Sequence, residues 1–226
     1  MRDAHFAGHP YVKTPNLDKL AARGVTFENA LCAAPLCNPS RTALLSGYRP
    51  GASGVYDNQH PFDRVIRPGE SVITLFKRSG YETLGSGKIW HGGLGFPEQW
   101  TATAGPERPE SAKVQDRSIG RIRFGVMEGG DEGLPDTATT DYGIAQLARP
   151  HDRPFFLALG YHKPHMPWNV PRKYYDLHPL ASIQLPPHQP NDTDDLPAAG
   201  KKMASNAGDH AQVLASGRWK EAVQAY

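Results

Sequence analysis

The stretch PFFLALG, Pro154 to Gly160, constrains this chain more than any other. Its unbroken apolar run has no alternation, so it does not describe a strand with one face in water. It is also too short for an ordinary helix. Bounded by Pro154 and Gly160, it predicts a strand buried on both faces, in a sheet covered on either side. Helical and extended signals alternate around it. "SVITLFKRSG" predicts a helix with Ser71 at its start and Gly80 at its stop, and "YETLGSGKIWH" follows as strand and loop. "DTATTDYGIAQLARP" predicts a helix stopped before Pro150. That alternation argues for the α/β class.

The remaining segments fill in the plan. "TPNLDKLAARG" predicts a short helix capped by Thr14, with Pro15 in the first position, Leu17, Leu20 and Ala21 on one face, and Gly24 as its end. "VTFENA" reads as a short strand or extended segment. A helix is expected after Pro39, ending near Gly47, with Ser40 available as a cap. Residues from about 100 to 134 are polar, Gly-rich and weakly periodic, and read as a long insertion over the surface. Prolines stud the segment from Pro164 to Pro197, which is expected to be mostly irregular. "HAQVLASGRWKEAVQAY" reads as a closing helix that Gly217 can interrupt.

Composition excludes some functions. The formal net charge is +2 over 226 residues, which gives no reason to expect nucleic acid or an anionic membrane surface as partner. No apolar run is long enough to span a membrane. The start, MRDAHFAGHP, carries no export signal. Two cysteines, Cys32 and Cys37, make no disulfide framework and lack the Cys-x-x-Cys spacing of redox or zinc pairs. Cys32 reads as an ordinary buried thiol.

Three segments carry polar groups whose burial would be costly without a task. They are Cys37 to Arg41; "GKIWH", with Lys88 and His91; and "GYHKPH", with His162, Lys163 and His165 directly after the apolar run. Ligand sites in α/β sheets gather at the carboxyl ends of strands, and a helix start offers N–H groups and a positive dipole end to an anion. Arg41, Lys88, His91, His165 and Lys163 around Cys37 would suit an anionic ester. Taken singly, each could be a solvated loop residue. Asp57, Asn58 and His60 could line the same pocket or form a polar turn. Two other motifs fail. "GSGK" lacks the phosphate-loop glycine, because position 82 is Glu82, and Ile89 stands where Ser or Thr is needed. "HKPH" contains a proline that prevents the helix of a paired-histidine zinc site. "NDT" at Asn191 matches a glycosylation sequon.

"CNPSRTALLSG" resembles the sulfatase signature, Cys-x-Pro-Ser-Arg. "GKIWH" resembles that family's second motif and "PFFLALGYHKPHMPW" its third, in the form found in iduronate-2-sulfatase and its bacterial relatives, as does "TPNLDKLAARGVTFENA". The resemblance covers most of the chain, with the motifs in order. It implies an alkaline-phosphatase-like α/β fold, a mixed sheet between helices, with residues 1–226 forming the N-terminal part of one catalytic domain. It further implies a sulfuric ester hydrolase whose Cys37 is oxidised to formylglycine by a dedicated maturing enzyme, acting on a sulfated glycan such as a glycosaminoglycan. Arg41 would hold the formylglycine diol, Lys88 bridge diol and sulfate, and His91 orient or deprotonate the diol. His165 would bind sulfate or protonate the leaving oxygen, with His162 and Lys163 touching substrate. Calcium would polarise the sulfate.

The same resemblance places two metal-binding aspartates on a strand ahead of Met1 and Arg2, where Asp3 matches neither. It places an Asp-His pair and a further lysine beyond Tyr226. Asp209-His210 sits in a helical pattern and is not that pair. Of the expected calcium ligands, only Cys37, as formylglycine, is then in this chain. The chain alone is accordingly expected to fold poorly and to be inactive, either as part of a longer sulfatase or as a truncated remnant. A full-length protein would be periplasmic, secreted or lysosomal. A phosphoesterase of the same superfamily and a non-catalytic binder of sulfated glycans are the alternatives.

Overall fold

A computed structural model describes residues 12–104, 112–187, 189, 191–204 and 208–226. Helix α1 (Pro15–Ala21) leads to α2 (Cys37–Ser46), the single turn α3 (Pro50–Ser53), α4 (Val72–Arg78) and β1 (Glu82–Gly87). Short strands β2 (Ala102–Thr103), β3 (Val114–Asp116) and β4 (Phe124–Met127) precede α5 (Pro135–Ala148) and β5 (Phe155–Gly160). Then come β6 (Trp168–Pro171), α6 (Arg172–Asp176), α7 (Ala198–Ala204), α8 (Gly208–Ser216) and α9 (Trp219–Ala225). The result is the expected α/β class, with two three-stranded sheets flanked by helices. No helix among the described residues is long and apolar enough to cross a membrane.

The first sheet has the order β2-β1-β5, all parallel, and β1 pairs with β5 from Glu82↔Phe155 to Gly87↔Gly160. Side chains alternate between its faces. On one face Phe156 stacks on Phe76 of α4, with ring centroids 4.5 Å apart. On the other, Ser86 Oγ lies 3.3 Å from Thr139 Oγ1 of α5, and Gly143 of α5 lets Leu159 approach. Both helices follow the sequence signals. Ser71 caps α4 by accepting the Thr74 N–H at 3.1 Å, and α5 runs from Pro135 in its first turn to the residues before Pro150.

Several expectations need correction. The central strand β1 is buried, whereas PFFLALG forms the edge strand β5 and is half-buried along its length. No strand pairs on its far side among the described residues. Thr14 stands at the start of α1, but its hydroxyl donates to Asp18 Oδ1 and caps no backbone N–H. The face carrying Leu17 and Leu20 is exposed, and "VTFENA" pairs with no strand, with Val25 and Phe27 in solvent. Cys32 is exposed rather than buried. Residues 100–134, expected as an insertion over the surface, hold three short strands, and β4 is buried throughout. Strands of two to four residues are too short to show a period, which is why the stretch looks featureless. Within the proline-rich segment β6 pairs parallel to β4, and β3 pairs antiparallel on its other side. Gly217, at φ +66°, separates α8 from α9, as its place in the pattern suggested.

Each sheet has its own core. Leu45, Ile66, Ile73, Ile89, Trp90, Phe96 and Trp100 pack beside the first. Phe124 and Val126 of β4 meet Tyr175, Val213, Ala222 and Ala225 in the second.

A polar cluster fastens the start of β1. Glu82 accepts from His151 Nδ1 at 2.9 Å and from the Arg149 guanidinium. The His151 hydrogen bond first, and Arg149 second, hold the Glu82 carboxyl below its ordinary range. Protons then bind the unfolded chain more readily as pH falls, so stability falls with it. This contribution is complete above the unfolded glutamate value of about 4.3 and is lost as pH drops through the lower folded value. Glu82→Gln is therefore expected to lower Tm near neutrality and to flatten its decline between roughly pH 5 and pH 3. A melting series across pH checks this, and an unchanged acid slope refutes it.

Candidate active site

Helix α2 opens at Cys37 itself, two residues before the proline that signalled it. Leu36 is the extended residue ahead of it, and the Ser40 N–H donates to the Leu36 carbonyl at 3.1 Å. Ser40 is thus in the first turn and not the cap. The half-buried Cys37 thiol stands where the helix presents free N–H groups and its positive end. Arg41 is one turn further on the same face. Its Nη1 donates to the carbonyls of Lys88 at 2.6 Å and Ile89 at 2.9 Å. Its other nitrogens make no hydrogen bond among the described residues.

Those two carbonyls belong to the loop after β1. Gly87, at φ +75°, turns the chain there, and a Cβ on it would lie 2.1 Å from the Gly160 oxygen. A Cβ on Gly160 would meet the Lys88 oxygen at the same distance. Only paired glycines allow this approach, which is closed by the Lys88 N–H on the Gly160 carbonyl at 2.9 Å. Ile89 and Trp90 then turn into the core, and both N–H groups donate to the Gly93 carbonyl. Lys88 and His91 flank this buried pair. Burial first, and the Lys88 and Arg41 charges second, push the His91 imidazole below its ordinary pKa. Burial and the neighbouring cations favour the uncharged form of the ring, and its buried Nδ1 has no hydrogen-bond partner among the described residues. Arg41, Lys88 and His91 thus lie near one another.

The loop after β5 leaves the same end of the sheet, because β1 and β5 are parallel and end opposite one another at Gly87 and Gly160. Asp136, in the first turn of α5, accepts the His162 N–H at 2.8 Å on one carboxylate oxygen and the Lys163 N–H at 2.9 Å on the other. Lys163 Nζ donates to the Pro167 carbonyl at 2.8 Å. His165 is exposed, and its Nδ1 donates to the Met166 carbonyl at 2.6 Å, which leaves Nε2 for proton exchange. His165 makes no hydrogen bond to Cys37, Lys88 or His91. Its membership of the site rests on the topology.

Sequence reasoning missed two residues here. Asn38 is buried, with its N–H on Asn58 Oδ1 and its amide donating to the carbonyls of Asp57 and His60. Asp57, Asn58 and His60 therefore form a polar turn tied to the residue after Cys37. Asn38 occupies the variable position of the motif, so only its burial reveals it. Asp136 looks like an ordinary acid at a helix start. Its real partners lie 26 and 27 residues away.

The described residues do not by themselves make up a calcium site. No three of His, Cys, Asp and Glu cluster for a metal among the described residues. On α8, Asp209 pairs with Arg121 at 2.8 Å and His210 stands edge-on to Trp219, so neither is posed as a metal ligand. Asp3 lies outside the described residues.

Comparison with known proteins bears on family and fold. The family model described as Sulfatase matches residues 1–195. The chain is 36% identical to a sulfatase of Formosa agariphila, over 98% of this chain and 48% of that protein. It is 34% identical to iduronate 2-sulfatase of Homo sapiens, over 84% of this chain and 38% of that protein. An enzyme solved in complex with its substrate D-glucosamine-2-N,6-O-disulfate superposes with a TM-score of 0.60 at 24% identity, over 85% of this chain and 37% of that one. The chain thus spans about half or less of the length of the relatives it matches. Its fold is the mixed α/β arrangement of alkaline-phosphatase-like sulfatases. With the family model running across most of its length, this chain belongs to the sulfatase family.

Proposed function

We propose that this chain, as part of a complete sulfatase, serves the hydrolysis of a sulfate ester on a sugar, using Cys37 after its oxidation to formylglycine; by itself it is expected to be inactive. One observation carries this reading. Arg41, a turn beyond Cys37, is fastened to the carbonyls of Lys88 and Ile89, which fixes the cysteine-bearing helix against the loop that supplies Lys88 and His91. Arg41, Lys88 and His91, held at the loop against the helix that opens at Cys37, suit an anionic ester. Conversion removes two electrons and the sulfur from the Cys37 side chain and leaves an aldehyde, with the oxidant supplied by the maturing enzyme.

Hydration of that aldehyde gives a diol. One hydroxyl, losing its proton to His91, attacks sulfur, and the bond from sulfur to the sugar oxygen breaks. The sugar oxygen takes a proton from His165. Arg41 and Lys88 offset the negative charge of the sulfate as it passes through the transition state. The second hydroxyl then gives its proton to His165, which has just lost one, the carbonyl re-forms, and the carbon–oxygen bond to the sulfate breaks, releasing sulfate. His162 and Lys163 contact the sulfate or the sugar from the β5 loop. Calcium, when supplied by a complete ligand set, would add positive charge at the sulfate. The sugar class is supported by the names of the relatives, one acting on iduronate 2-sulfate and another solved with a disulfated glucosamine.

The test is a tryptic map of protein co-expressed with a formylglycine-forming enzyme, paired with assays on a sulfate ester and the matching phosphate ester. The peptide containing Cys37 is expected to carry an aldehyde that reacts with a hydrazide, and the sulfate ester to be the preferred substrate. An unmodified thiol throughout the preparation, together with binding but no turnover, would identify a glycan binder. Preference for the phosphate ester would identify a phosphoesterase.

A further inference from the structure

We propose that Asp136 is the positioning residue for the loop that recognises sulfate, an inference that rests on the sulfate-ester reading above. Asp136 lies in the first turn of α5, and both of its carboxylate oxygens are spent on one dipeptide, on the N–H groups of His162 and Lys163 at 2.8 and 2.9 Å. Two successive N–H groups held by one carboxylate fix the peptide plane between them, and so the direction in which both side chains leave the chain. The constraint passes onward, since the His165 N–H donates to the His162 carbonyl at 2.9 Å. A half-buried acid on a helix thereby aims three residues it never touches with its own substrate contact. A further consequence is that two N–H donors next to a site for an anion are taken up, so the sulfate is met by side chains of this loop and not by its backbone.

The acid is not needed to build α5. Pro135 already starts the helix, and Ser86 and Leu159 hold its next turns against the sheet. Asn at this position has the same shape but only one acceptor, and its amide would face an N–H. Alanine has none. Glutamate keeps both acceptors on a longer stem.

The experiment compares Asp136→Ala, Asp136→Asn and Asp136→Glu with the parent protein, matured as above. Amide exchange at His162 and Lys163 is expected to quicken in Asp136→Ala while α5 stays protected, and unchanged exchange at those two sites overturns the anchor. The KM for a sulfate ester is expected to rise about tenfold in Asp136→Ala, less in Asp136→Asn, and to be partly restored in Asp136→Glu. Simple loss of folded protein would lower the apparent kcat at unchanged KM, and that outcome overturns the positioning role. If the complete protein hydrolyses no sulfate ester, the functional reading fails. Inorganic sulfate, followed through the imidazole signals of His162 and His165, then decides this inference: weaker binding in Asp136→Ala sustains it, and equal binding or none overturns it.

Discussion

In the complete protein, replacing Cys37 by alanine is expected to reduce sulfate-ester hydrolysis by roughly 10⁴-fold or more, because the proposed covalent nucleophile is removed outright. The fold should barely notice. Cys37 is half-buried at the first position of α2, its side chain caps nothing, and alanine is the best helix former available. The stability change is expected to be about 1 kcal/mol or less. Arg41 would keep its bonds to the Lys88 and Ile89 carbonyls, since neither involves the thiol. Turnover and thermal melting measured on the same preparation separate the two effects. Undiminished turnover in Cys37→Ala would sink the proposed chemistry, and a large fall in Tm would mean that the thiol has a packing role its exposure does not suggest.

Trp90→Ala is expected to cost about 3 kcal/mol, toward the lower end of the usual range for deleting a large buried aromatic. Trp90 has no solvent exposure, stacks on Phe62 at 4.6 Å between ring centroids and meets Phe96 edge-on at 5.4 Å. Its indole N–H is buried without a hydrogen-bond partner among the described residues, so the substitution also relieves an unsatisfied donor. That relief, on the order of 1 kcal/mol or more, offsets part of the cavity cost. Against a total stability of roughly 5–15 kcal/mol the net loss is severe. It falls on the site as well, since Trp90 lies between Lys88 and His91. Denaturant melts measure the loss. Trp90→Phe, which keeps a ring and drops the N–H, is the control and should recover most of it. A cost near zero for alanine would show that the first core does not depend on this side chain.

The parts of this fold that the sequence made legible are those whose signals are local. Ser71 and Gly80 bracket α4, Pro150 stops α5, and Gly217 splits the closing helices, each through backbone chemistry confined to a few residues. β5 was visible as an apolar run, but its place at the sheet edge was not, because strand order is set by partners distant in sequence. β4 escaped notice: four buried residues between glycines and charges carry no readable period. The same division holds at the site. Arg41, Lys88 and His91 could be grouped because each sits in a compact motif. Asn38 and Asp136 could not, because what distinguishes them is a partner 19 or more residues away. The exposed face of α1 shows the reverse error, a sound local pattern without the surface it would pack on.

The order β2-β1-β5 makes the first sheet lopsided as a template. On one side the ladder stops at β2, whose two residues offer too little backbone to recruit anything. On the other, Phe155–Gly160 presents six residues with no charge and no proline after Pro154, and among the described residues that outer rim is open. Nothing on β5 itself discourages another strand from joining. Growth of the sheet, whether by further polypeptide or by unwanted self-association at high concentration, is therefore directional: it proceeds from β5 and is blocked at β2.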